Sequence, residues 1–97
     1  MDLTKVIQDE LARVTEEFPR FASAHEGYAV IKEELEEATD ELGFLTNQLE
    51  ILWMHVKDNS PKGQQMSINS LIKFSELLAK EAIQVSAMCH RFKRDVL

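Results

Sequence analysis

Glu81 stands where an apolar residue is expected. From Leu71 to Phe92 the chain reads LIKFSELLAKEAIQVSAMCHRF, and Leu71, Phe74, Leu78, Glu81, Val85, Met88 and Phe92 follow at steps of three and four, the spacing of one helix face. A lone ionised carboxylate among apolar neighbours is costly, so Glu81 must be neutral, paired or bound to a cation. Earlier in the chain, Glu33, Glu34, Glu36, Glu37, Asp40 and Glu41 place six acids in nine residues with no base between them. On a helix, Glu33, Glu36 and Asp40 fall away from the apolar row. Glu34, Glu41 and Glu37 line one flank of it, at about 80°, 100° and 140° from its centre. Gln84 is one turn beyond Glu81 on the same side. An antiparallel hairpin would set Glu34 and Glu37 against Glu81 and Gln84. Carboxylates crowded in a water-poor cleft repel one another unless a cation joins them, and oxygen-only ligands select Mg²⁺ or Mn²⁺. The Glu-x-x-His motif of di-iron bundles is missing, since Ala22, Leu52 and Ala87 stand three residues before His25, His55 and His90. The competing reading is a solvated acid face, with Glu81 at a wet edge or paired with Lys80 or Lys32.

The elements that must position these groups are helices. Gly (3) and Pro (2) are scarce and strand-like alternation is absent, which predicts an all-α fold. The 97 residues suffice for one small domain. Leu3, Ile7, Leu11, Val14 and Phe18 predict a helix over about 2–17, with Asp2 as its cap, ended by Pro19 in FPRF. Ser23-Ala24-His25-Glu26 is a capping box. From it Ala24, Tyr28, Ile31, Leu35, Ala38, Leu42, Leu45, Leu49, Leu52 and Val56 run without a slip. This predicts one long helix over about 24–57, the alternative being a break at Gly43. DNSPKG (58–63) is turn chemistry, and a third helix is predicted over about 66–95. The second and third helices then form a long antiparallel hairpin with a short N-terminal helix. The bundle is completed by oligomerisation, as a homodimer or tetramer, because Phe44, Ile51 and Trp53 lie off the main seam.

Composition excludes several classes. The net charge of −6 argues against nonspecific nucleic-acid binding. No apolar run is long enough for a membrane span, and MDLTKVIQDE has no signal-peptide core. A single cysteine, Cys89, fits a reducing, cytoplasmic compartment, where it reads as a small buried apolar residue.

Glu34-Leu-Glu-Glu37 within VIKEELEEATDEL and Glu81-Ala-Ile-Gln84 within KEAIQVSAMCHRF resemble the E-x-x-E and E-x-x-D pairs of the MazG-like all-α nucleoside triphosphate pyrophosphohydrolases. SAHEGYAVIKEELEEATDEL is also similar to short members of that family common in phages and prophages. The resemblance covers about 22–95. It implies hydrolysis of a nucleoside triphosphate, ribo or deoxy, to the monophosphate and pyrophosphate, with Mg²⁺ held by Glu34, Glu37 and Glu81. Gln84 departs from the family's aspartate. An amide oxygen ligates Mg²⁺ but brings no charge, so either Glu41 or Asp40 compensates or the site is weakened or repurposed.

Such chemistry needs an oriented water and cations for the polyphosphate. Glu37 or Glu41 is the candidate to polarise the water. Arg91 and Arg94, roughly 10 and 15 Å along the helix from Gln84, are candidate phosphate ligands, or else complement the helix C-terminal dipole. The alternative function is a non-catalytic helical oligomer, a binding or scaffold protein keeping the fold.

Overall fold

Each helix is started by a side chain that closes its first turn. Asp2 accepts the Lys5 N–H at 3.1 Å, Ser23 the Glu26 N–H at 3.2 Å and Ser60 the Gly63 N–H at 3.2 Å. In a computed structural model describing residues 1–97, these caps open α1 (Leu3–Glu17), α2 (Ala24–Lys57) and α3 (Pro61–Val96), and no strand is present. The all-α hairpin with a short N-terminal helix is therefore the fold. Glu26 completes its box one residue early, accepting the Ala22 N–H.

Gly43 does not break α2: the helix runs through it, and nothing but solvent lies where its Cβ would stand. The third helix, by contrast, starts five residues before the predicted boundary. Pro61 is its first residue, where a fixed φ suits the helix and the missing N–H was unpaired anyway. The turn needs only Asp58–Ser60. Asn59 adopts φ 53°, Ser60 N–H donates to His55 O at 3.0 Å and Asn59 N–H to Val56 O at 3.1 Å. This is the pair of bonds that ends a helix through a left-handed residue.

α2 and α3 pack along their lengths, and α1 lies against α3 with no backbone approach to α2. The core sits at the α1 end. Val14, Phe21, Ala87 and Met88 are buried, flanked by Leu11, Val30, Ile31, Phe92 and Val96. Gly27 is required there, because a Cβ would fall 2.5 Å from the Phe92 ring. Asp95, its side chain fully shielded, ties the α1–α2 loop to the end of α3. It accepts the Phe21 N–H at 3.1 Å, Arg20 Nε at 3.3 Å and Arg94 Nε at 2.7 Å.

The hairpin seam differs from the predicted one. The half-buried row of α2 is Ile31, Glu34, Ala38, Glu41, Leu45, Gln48, Leu52 and His55. Leu35, Leu42, Leu49 and Val56, expected on the same seam, are 54%, 54%, 59% and 42% exposed. The cause lies on α3, whose facing row near the turn is small: Gly63 and Ser67 are buried, and His55 fills the space a Gly63 side chain would need. Close approach along that row draws in the polar flank of α2 and leaves the leucines outside. Cys89, expected buried, is exposed. The result is elongated, 55 × 27 × 18 Å, and no helix is long and apolar enough to cross a membrane.

Candidate functional site

α2 carries Glu34 and Glu37 one turn apart, and α3 carries Glu81 and Gln84 likewise. The inward rotation of α2 that exposes its leucines brings these groups together. One carboxylate oxygen each from Glu34, Glu37 and Glu81 lies within 4.8 Å of the others. Glu34 and Glu81 are half-buried and Glu37 is exposed. With its amide nitrogen turned to the acids, Gln84 donates to Glu34 Oε2 at 3.1 Å and to Glu81 Oε2 at 2.9 Å.

The acids are held above the usual carboxyl range. Burial raises Glu34, and the Glu37 charge adds to it. Hydrogen bonding with Glu81, then burial, raises Glu37. Burial also raises Glu81, with Glu34 adding to it. No cation of the chain pairs with any of the three within ion-pair distance. A cluster of this kind lowers its free energy by taking up protons or a metal ion. The donor set is carboxylate oxygen without sulfur or imidazole, so it fits a hard divalent cation.

Beside the cluster, α1, the loop and the hairpin enclose a cleft of about 440 Å³, whose lining includes Glu34 and Gln84, with Phe18 and Phe21 on its apolar side. Two lining residues of α1, Glu10 and Arg13, escaped the sequence reading. Arg13 Nη2 donates to Glu10 Oε1 at 2.6 Å and Arg13 Nη1 to Glu17 Oε2 at 2.7 Å, and the Arg13 bond holds the Glu10 carboxyl below its ordinary value. The signal was present: Glu10 precedes Leu11 of the α1 apolar row and is three residues from Arg13.

The remaining candidates are dispersed. Glu41 lies outside the three-acid group, and its Oε2 is buried with no hydrogen-bond partner. Arg91 lines the cleft but is itself buried. Its guanidinium lies 4.1 Å from the Phe21 ring centroid and donates to Pro19 O. Arg94 is outside the lining and donates to Thr15 Oγ1 at 2.7 Å and to Asp95. Arg91 therefore holds the α1–α2 loop, and Arg94 ties α1 to Asp95 at the end of α3. Compared with family models, curated proteins and solved structures, the chain matches none.

Proposed function

We propose that the protein is a Mg²⁺- or Mn²⁺-dependent nucleoside triphosphate pyrophosphohydrolase, converting a ribo- or deoxynucleoside triphosphate to the monophosphate and pyrophosphate in the cytoplasm. One observation carries this reading: Glu34, Glu37 and Glu81 converge at the positions where the resemblance to MazG-like enzymes expects metal ligands. A divalent ion bound there supplies positive charge that neutralises the polyphosphate and eases attack at phosphorus.

The chain's own residues have separable roles. Glu34, Glu37 and Glu81 would hold the ion. Gln84 orients Glu34 and Glu81 through its amide without adding charge. Glu37, the exposed member, accepts the proton of the attacking water. Glu41, with a buried and unpartnered oxygen, is the second candidate base. The water oxygen bonds to the α-phosphorus while the bridging P–O bond breaks and pyrophosphate leaves. Arg13 and Arg91 are the two cationic residues among the acids of the cleft lining, Arg94 ties α1 to Asp95, and Phe18 and Phe21 offer faces for a base. The cleft falls within the roughly 300–1,000 Å³ of ordinary small-molecule sites.

A non-catalytic binding or scaffold role is favoured by one observation: the Gln84 amide already satisfies two of the acids. Pyrophosphate release from a panel of standard and modified nucleotides, with and without Mg²⁺, separates the two. The expected result is metal-dependent release that falls on the order of 100-fold or more in Glu34→Gln and Glu81→Gln. Silence across the panel, or full activity in both variants, overturns the enzymatic reading.

A further inference from the structure

We propose that Gln84 is a two-sided positioning residue: its amide turns its oxygen to a divalent ion among the acids and its nitrogen to Glu10, and so fastens α1 over the cleft when the ion binds. Gln84 stands where the resemblance expects an aspartate, and the charge it omits is found on Glu10 of α1. Glu10 and Gln84 together line both the 440 Å³ cleft and a second cavity of about 360 Å³ walled by Val6 and Ile83. The pair is the partition between the two, with open space on either side in which to move.

The amide has more acceptors around it than it can serve. In one orientation its nitrogen donates to Glu34 Oε2 at 3.1 Å and to Glu81 Oε2 at 2.9 Å. In the opposite orientation it serves the Glu10 carboxyl, which the Arg13 bond above all, and the Gln84 amide after it, hold below its ordinary value. A primary amide offers N–H on one side and carbonyl oxygen on the other. Either orientation therefore sets that oxygen against a carboxylate, and two acceptors face each other. A cation among Glu34, Glu37 and Glu81 removes the clash. The oxygen then faces positive charge, and the N–H group goes to Glu10.

Glu10 suits that exchange. Its side chain is 18% exposed and bonded to Arg13 at 2.6 Å, whereas Arg13 is 46% exposed and also bonded to Glu17, so Arg13 keeps a partner when Glu10 turns to Gln84. α1 leans on α3 with no backbone approach to α2, and a bond from Glu10 to Gln84 is the route by which α1 feels an ion on the α2 acids. An aspartate at 84 would set a second carboxylate against Glu10 and push α1 away. The inference rests on the divalent-ion reading of the cluster and not on hydrolysis.

Amide deuteration of α1 with and without millimolar Mg²⁺, at constant ionic strength, tests it, with thermal unfolding as the measure of binding. The expected result is a higher midpoint and exchange from Ile7 to Arg13 slowed about tenfold, the effect of one hydrogen bond to a charged group. In Gln84→Glu, which keeps the shape of the side chain, Mg²⁺ still raises the midpoint but no longer slows exchange in α1. Glu10→Gln/Gln84→Glu, with amide and carboxylate swapped, recovers the slowing. A higher midpoint without slower α1 exchange in the unaltered protein overturns the coupling alone, as does full slowing in Gln84→Glu or none in the swap. A midpoint indifferent to both Mg²⁺ and Mn²⁺ overturns it together with the divalent-ion reading. If Gln84→Glu loses its helical circular dichroism, Glu10→Ala decides: the midpoint shift should survive and the slowing vanish, and slowing that persists counts against the proposal.

Discussion

Burial above all, with Glu34 adding to it, raises the Glu81 carboxyl, so its charge costs stability when nothing neutralises it. Glu81→Gln is therefore expected to stabilise the cation-free protein by about 1 kcal/mol, a rise of roughly 4–8 °C for a domain of this size. It should also abolish the stabilisation by millimolar Mg²⁺ that linkage requires of a bound ligand. Thermal unfolding with and without the cation checks both halves. Asp95 behaves in the opposite sense. The Arg94 bond above all holds its carboxyl down to about 2, so the stability it contributes is present at neutral pH and is lost as pH falls from about 4 towards 2. Asp95→Asn should cost about 2 kcal/mol at neutral pH and flatten that acid limb in urea titrations. The three raised acids act higher on the scale: the folded state keeps their protons longer, so mild acidification above the ordinary carboxyl range favours it. The pairing of Glu34 and Glu37 with Gln84 and Glu81 was legible in the sequence because each pair is one turn apart and the two pairs stand equally far from the turn at Asn59. The environment of Arg91 was not. Its partners Pro19 and Phe21 lie about seventy residues away along the chain, and no local pattern encodes that meeting.

At the scale of elements, α2 holds together across Gly43 because its neighbours on both sides are packed or strongly helix-forming. Gly43→Ala meets no atom and removes a flexible residue from a helix interior. It should raise stability by about 0.5–1 kcal/mol, read as a higher denaturant midpoint at unchanged slope. The same change at Gly27 would drive a methyl into Phe92 and serves as the contrasting case. Caps and the apolar period gave the bounds of α2 from sequence alone. The start of α3 was obscured by Pro61 and Gly63, which read as turn residues until Pro61 is recognised as the opening residue of a helix. The seam was obscured differently. The apolar stripe of α2 is wider than one partner covers, and which half of it turns inward is settled by Gly63 and Ser67 on the other helix.

The whole molecule has two unlike ends. Its radius of gyration is 17.5 Å, against about 12–13 Å for a compact chain of this length. The excess is the bare arm of the hairpin beyond α1. The buried core, the loop ties and the acid cleft gather where α1 covers α3, while Trp53, Met54, Met66 and Ile68 stand exposed along the arm. The overall class was readable from composition and periodicity. The unequal sharing of burial between the ends was not, since it depends on where α1 comes to rest.

That resting place has a further implication. α1 leans on one neighbour only and is fastened at its far end by the Thr15, Arg20 and Asp95 contacts. Its first turns can thus detach while the long pair stays zipped. Amide deuteration should reveal this as a gradient: rapid labelling from Leu3 to about Glu10, slower towards Val14, and slowest at Ala87 and Met88, with Asp95→Asn erasing the difference between the two halves of α1. A wall of the cleft would then be its loosest part, and the entrance for any occupant would lie beneath Glu10.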